Sequence, residues 1–238
     1  PGVDRLALTA EILFDGEGNR LESRFYPAVI RSRARLTYTQ VKAMVAEADP
    51  ETIALFPDLL PELQLMAELS ERLTALRRRR GSLDFDLPEA EIILDLRGRP
   101  ENIVRAERNL AHRLIEEFML AANEAVATFL AGRGAPFLYR VHESPDPEKL
   151  QLFAEFASHF GYTLTLREGR TEPRRLQTLL AEVEGKPEER MLNQVLLRSM
   201  KQARYTPENV GHFGLAAELY CHFTSPIRRY PDLVVHRV

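Results

Sequence analysis

The stretch Tyr220-Cys221-His222-Phe223-Thr224-Ser225-Pro226-Ile227-Arg228-Arg229-Tyr230-Pro231-Asp232 concentrates the residues of this chain best suited to handling an anion. Ser225 can cap a helix, Pro226 suits the first helical position, and Arg228 and Arg229 follow within the first turn. Cations are ordinarily disfavoured there, because free N–H groups already give a helix start partial positive charge. A bound anion reverses that sign, so bare amides together with two guanidiniums make a phosphate site. The competing reading is an ordinary Arg-Arg pair facing solvent. Pro231 removes a donor and crowds the preceding turn. The helix therefore either kinks there or starts afresh at Pro231 with the arginines in the turn before it; both leave the guanidiniums at a helix entrance.

Other chemistry is poorly supported. His212, His222 and His236 are spaced unlike any common zinc framework, and one cysteine in the whole chain rules out a cysteine-rich metal site or an internal disulfide. Cys221 itself suits a small buried apolar position. Ser225 has no local acidic residue or glycine elbow to make it a nucleophile. Asp84 and Asp86 would share one face of a strand, but two carboxylates without further hard ligands are a weak magnesium site.

The elements that must hold these residues follow from pattern and punctuation. Residues 6–14 and 24–30 flank Asp15-Gly16-Glu17-Gly18-Asn19, which predicts a β-hairpin with Pro27 on an edge or at a bulge. Thr37 or Thr39 can cap a helix running to about Ala48. From Asp58 to Arg80, Leu59, Leu63, Met66, Leu69, Leu73 and Leu76 recur at helical spacing, with Arg77–Arg80 in the last turn and Gly81 as the stop. Those four arginines are explained by the helix dipole, with phosphate contact as the alternative. Ser82–Asp86 alternates like a strand, and Ile92-Ile93-Leu94-Asp95 with the Arg97-Gly98-Arg99 turn suggests a second hairpin.

Residues 102–131 predict a long helix. At about 100° per residue, Leu110, Leu114, Phe118 and Ala121 define its apolar stripe. Glu117 falls on the margin of that stripe and Glu116 faces water. A carboxylate edging into an apolar face needs a partner, and Arg113, four residues away, is the structural candidate. Further on, Phe137–Val141 reads as a strand, Asp146-Pro147 caps a helix closed by Gly161, Tyr162–Leu166 is a short strand, and residues 172–183 and 187–204 are helices. The last presents Arg198, Lys201 and Arg204 as a basic strip, either along an RNA backbone or simply solvated. The class is α+β, with mixed helices and short antiparallel strands.

At 238 residues and 45% hydrophobic content the chain can bury a sizeable core. A net charge of −3 announces no global attraction to nucleic acid, although residues 20–35 hold five arginines against one glutamate. No apolar run reaches the roughly 20 residues needed to span a bilayer, and no secretory signal opens the chain, which makes a cytoplasmic location the default.

Tyr205-x-x-x-Asn209-x-Gly211-His212-Phe213-Gly214-Leu215, followed by Tyr220-x-His222-Phe223-Thr224-Ser225-Pro226-Ile227-Arg228-Arg229-Tyr230-Pro231-Asp232-Leu233 and His236-Arg237, closely resembles the catalytic domain of the ribonuclease II and ribonuclease R family, on the ribonuclease R side. The resemblance runs through most of the chain. It implies a magnesium-dependent, processive 3′-to-5′ exoribonuclease that takes the 3′ end of single-stranded RNA and releases nucleoside 5′-monophosphates. By family position Arg228 is the catalytic arginine and Arg229 makes phosphate or structural contacts. Tyr38 corresponds to the channel tyrosine that helps select RNA over DNA, and Glu117 to a glutamate contacting the last nucleotide. Phe85 corresponds to the aromatic that stacks on terminal bases, which holds any base with about 1–3 kcal/mol.

One departure stands out. The magnesium ligands of the family form an aspartate cluster, expected upstream of the segment that aligns with Pro1, and no such cluster occurs here. Also missing are the second clamping aromatic, the cold-shock modules and the C-terminal RNA-binding module. Residues 1–238 are therefore expected to be part of such a catalytic domain, inactive alone within an active parent. The rival expectation is a non-catalytic RNA-binding or regulatory scaffold of the same fold.

Overall fold

A computed structural model of the chain describes residues 1–85, 90–94, 98–105, 108–169 and 171–238. It opens with the expected hairpin, β1 (Asp4–Phe14) and β2 (Arg20–Arg31). Asp15 organises the turn, its carboxylate accepting from the Glu17 and Asn19 N–H groups. Leu6 pairs with Val29, Leu8 with Pro27 and Ala10 with Phe25, and the register shifts between Leu13 and Phe14. With only two strands in the sheet, Pro27 sits on an edge as expected.

The next helix, α1 (Tyr38–Val45), begins at a capping box: the Gln40 N–H donates to Thr37 Oγ1, and the Thr37 N–H donates to the Gln40 side chain. It stops three residues short of Ala48, which takes a left-handed φ of 51°. After α2 (Pro50–Leu55) and a 3-10 turn at Pro57–Leu59 comes α3 (Leu60–Arg80). The buried face of α3 is Leu63, Ala67, Ser70, Leu73 and Arg77, not the full leucine stripe expected. That rotation brings Ser70 and Arg77 inward while Met66, Leu69 and Leu76 are half-buried. Gly81 ends the helix at φ 103°, where a Cβ would lie 2.6 Å from Arg174 Cγ.

Several expectations fail beyond this point. Residues 82–85 form no strand; the Leu83 N–H donates to Gly214 O and Asp84 pairs with Arg108 instead. Asp86 of the supposed aspartate pair lies outside the described residues, as do Asp95 and Arg97 of the second turn. The second hairpin exists, as β3 (Ala90–Leu94) against β4 (Pro100–Arg105). Residues 102–105 therefore belong to a strand and not to the long helix. Ile103 and Val104 are β-branched, and pairing with β3 overrides their weak helical period. The helix, α4 (Leu110–Gly132), starts where Asn109 accepts from the Ala111 and His112 N–H groups. Residues 162–166 also lack strand partners, although Tyr162 and Leu164 are buried.

The remaining elements are β5 (Tyr139–Val141), α5 (Pro147–Ser158), α6 (Pro173–Val183), α7 (Glu189–Ser199), β6 (Arg204–Thr206) and α8 (Tyr230–Val235). β5 pairs with β6, so residues 200–204 leave the helix and the expected basic strip does not form. Lys201 and Arg204 both bond Glu143.

Two cores result. One joins Leu150, Phe153, Leu176, Leu179, Leu192 and Leu196 from α5, α6 and α7, and each such side chain contributes about 1.5–3 kcal/mol on burial. The other packs Val126, Ala127 and Leu130 of α4 against Cys221, Phe223 and Val235. The arginine-bearing segment thus rests on α4. Among the described residues no helix is long and apolar enough to cross a membrane.

Candidate functional site

Of the two arrangements open for the arginines, the structure takes the second. Residues 226–228 form a turn, Arg229 is the N-cap, and α8 starts at Tyr230 with Pro231 in its first turn. Ser225 does not cap a helix with its side chain; its carbonyl accepts from the Arg228 and Arg229 N–H groups at 3.3 and 3.1 Å. The reason is Pro231, whose ring fits a helix start and not its interior.

The two arginines differ. Arg228 is exposed, and its guanidinium forms no hydrogen bond or ion pair among the described residues. Arg229 turns inward: its side chain is 16% exposed and its Nη2 donates to Asp232 Oδ1 at 2.8 Å and to Thr224 Oγ1 at 3.2 Å. Asp232 is fully buried, at 0% exposure, and the same Oδ1 accepts the Ser225 N–H at 2.7 Å. Among the described residues, Asp232 Oδ2 and Arg229 Nε are buried with no hydrogen-bond partner.

The stretch before the turn is fixed from below. Asn123, inside α4, accepts the Phe223 N–H on Oδ1 at 2.9 Å and donates from Nδ2 to the Tyr220 hydroxyl at 3.0 Å. His236 stacks on Phe223, with ring centroids 4.6 Å apart, and its Nε2 lies 2.8 Å from the Phe223 carbonyl. Burial holds the Tyr220 hydroxyl and the Cys221 thiol each up to about 12.

Three histidines surround the tract. His142 accepts the Gly214 N–H on Nδ1 at 3.0 Å, and its Nε2 lies 2.8 Å from the Lys201 carbonyl. A backbone donor on one side and a carbonyl on the other fix the neutral Nε2–H tautomer. His212 accepts the Leu215 N–H on Nδ1. Burial, followed by the charge it would meet at His142, pushes His212 down to about 3. Burial and the neighbouring Arg229 push His222 down to about 4, and its Nδ1 shares a 2.7 Å hydrogen bond with the Tyr205 hydroxyl. Arg140 lies over the Tyr205 ring at 4.7 Å.

Glu117 is buried, at 4% exposure, and its partner is not Arg113. Arg77 donates to it from Nη2 at 2.7 Å and from Nε at 3.1 Å, and Thr74 adds a third donor at 3.0 Å. Nη1 of Arg77 bonds Ser82 Oγ, which approaches Gly214 O at 3.4 Å. The arginine run therefore divides, with Arg77 inside and Arg80 paired to Glu124. The Arg77–Glu117 pair lines a cavity of about 260 Å³ that the hairpin residues Asn19 and Arg20 also line. Glu116, expected to face water, pairs with Arg108.

Tyr38 is 45% exposed and stacks on His112, with centroids 3.9 Å apart. Phe85 is half-buried against the α5–α7 core. Both Ser82 and Leu83, just before Phe85, touch Gly214 of the Gly211–Leu215 segment. No hydrogen bond or ion pair among the described residues joins Arg228 to Tyr38, Phe85 or Glu117. Sequence reasoning missed Arg77, Asn123, His142 and Asp232 as organisers. Asp232, three residues after Arg229, carried a local signal; Arg77, forty residues from Glu117 in sequence, carried none.

A magnesium ion, implied by the resemblance, finds no fit in this set: among the described residues no three of His, Cys, Asp and Glu converge as ligands.

The profile of the RNB domain family matches residues 1–238. Ribonuclease R of Aquifex aeolicus is 48% identical over 238 residues, covering all of this chain and 34% of the relative. Ribonuclease R 1 of Lactococcus lactis is 42% identical over 238 residues, covering all of this chain and 29% of the relative. Among solved structures, Mycoplasma genitalium RNase R in complex with ribose-methylated single-stranded RNA superposes with a TM-score of 0.91 at 31% identity, over all of this chain and 37% of that one. The chain spans about a third of the length of the relatives it matches.

Proposed function

The chain belongs to the RNB domain family, and from that premise we propose that it is the RNA-handling part of a ribonuclease that hydrolyses single-stranded RNA from its 3′ end to nucleoside 5′-monophosphates. The observation that carries this reading is the contrast within the arginine pair. Arg228 offers a free guanidinium on an anchored turn, while Arg229 is spent inside on Asp232 and Thr224. An exposed guanidinium with no internal partner among the described residues, carried on a turn fixed at both ends, is available to stabilise charge building on a phosphoryl group during bond cleavage. Arg228 is accordingly the catalytic residue of the proposal.

Tyr38 and Phe85 supply aromatic faces for sugar or base. Glu117 and Arg229, expected as substrate contacts, are engaged by Arg77 and by Asp232. Their part in the proposal is to support the surfaces that RNA meets. Magnesium, when bound, would supply activated water and neutralise phosphate oxygens, with ligands other than the residues described here. A cytoplasmic place of action goes with an RNA substrate.

The test uses the full-length protein carrying this chain, magnesium, and single-stranded RNA labelled at either end. Stepwise shortening of 5′-labelled RNA with release of 5′-monophosphates is the expected result. Arg228→Ala should lower turnover about a hundredfold or more while changing RNA affinity only a few-fold, whereas internal cuts or 5′-to-3′ decay would overturn the reading.

A further inference from the structure

Asp232 is four residues from Arg228, whose guanidinium is exposed, and is itself buried to 0%, so it cannot meet a polymeric substrate. Its contacts fall on both sides of Arg228. On the N-terminal side, Oδ1 takes the Ser225 N–H at 2.7 Å; on the C-terminal side, the same atom takes Arg229 Nη2 at 2.8 Å. Between them the chain makes one tight turn, closed by Ser225 O on the N–H groups of both arginines. Arg229 Nη2 adds a strut to Thr224 Oγ1. One carboxylate oxygen therefore gathers the two ends of the turn, whose apex is Pro226 and Ile227, and fixes the backbone on either side of Arg228 where the turn closes. A buried carboxylate is costly unless hydrogen-bonded and paired. Both requirements are met by the backbone and side chain that flank Arg228, so Asp232 loses its own compensation if the turn opens.

We propose that Asp232 is the positioning residue for Arg228: it sets where the Arg228 guanidinium meets an RNA phosphate, acting through the Ser225 amide and the Arg229 side chain. The proposal rests on the reading of Arg228 given above. Asp232 makes no contact with substrate, and Arg229 is the strap through which it works. Among the described residues its second oxygen, Oδ2, and Arg229 Nε are buried with no hydrogen-bond partner.

The test is a double-mutant cycle in the full-length protein, read both as turnover of single-stranded RNA and as Kd for it. Asp232→Asn keeps an oxygen for the Ser225 N–H but removes the charge that fastens Arg229. It is expected to lower turnover about tenfold in the otherwise native protein, and less than about twofold when Arg228 is already alanine. A residue with a merely structural role would give the same loss in both backgrounds, and that outcome overturns the proposal. So does Asp232→Asn with native turnover. If Arg228→Ala alone changes neither turnover nor Kd, the reading of Arg228 falls and the proposal with it. If RNA is bound but not cut, the nuclease reading fails on its own, and the same coupling read in Kd still decides whether Asp232 positions Arg228. Asp232→Ala, with its Tm measured alongside, separates loss of the turn from loss of the fold.

Discussion

The guanidinium of Arg77 and the carboxylate of Glu117 form a buried ion pair, Nη2 to Oε1 at 2.7 Å, with side chains 8% and 5% exposed. The pair joins α3 to α4 and, through Ser82, reaches the Gly214 backbone. It forms where sequence reasoning saw a basic helix end and a carboxylate on the margin of an apolar stripe.

Removing one partner leaves the other charged and unpaired in the interior. Glu117→Ala is expected to destabilise the fold by about 3–5 kcal/mol. The double replacement Arg77→Met with Glu117→Leu should recover most of that loss. Urea unfolding of the two variants checks it, and equal destabilisation by the single and double variants would show that packing dominates, not charge.

Acid should weaken the fold before the carboxylates titrate. Burial holds His142, His212 and His222 below 6.5, with His212 at about 3 and His222 at about 4. Below about pH 6.5 the unfolded chain binds protons on these rings that the folded chain refuses, so stability is full above that pH and falls as pH drops. Asp84 acts later: burial raises its pKa, but the Arg108 hydrogen bond and charge outweigh this and hold it below 3.8. Melting temperatures between pH 4.5 and 7.5 on the native protein and on His142→Gln test this. The variant should show a shallower decline across that window.

Cys221 is buried at 0% exposure, and burial together with the Asp232 charge holds its thiol up to about 12. The thiolate population near neutrality is therefore negligible. Alkylation by iodoacetamide should be absent in the native protein over hours and complete within minutes in denaturant. Rapid native labelling would mean that the core under Phe223 opens readily.

Local grammar was legible in the sequence wherever one residue type solved one backbone problem. Asp15 makes the hairpin turn, Thr37, one of two threonines that could cap, starts α1, Asp146 caps α5, and Gly81 ends α3. The helix expected from residue 102 starts later because Ile103 and Val104 suit a strand as well as a helical period, and the neighbouring arm of their hairpin, β3, pairs with them. The same limit hid the site. Arg228 and Arg229 are neighbours of one type, and only the burial of Asp232 distinguishes them. Glu117 pointed to Arg113 by spacing and found Arg77 by packing.

Asn123 lies within α4, closed off from solvent, yet it holds the Phe223 N–H and the Tyr220 hydroxyl of the segment that carries the arginines. Its single amide makes the segment and the helix one cooperative unit: that strand of loop can exchange its protected amide only when the interior beneath it loosens as well. A surface built this way does not flicker independently of the protein it belongs to, and hydrogen exchange at Phe223 should be as slow as at Val126.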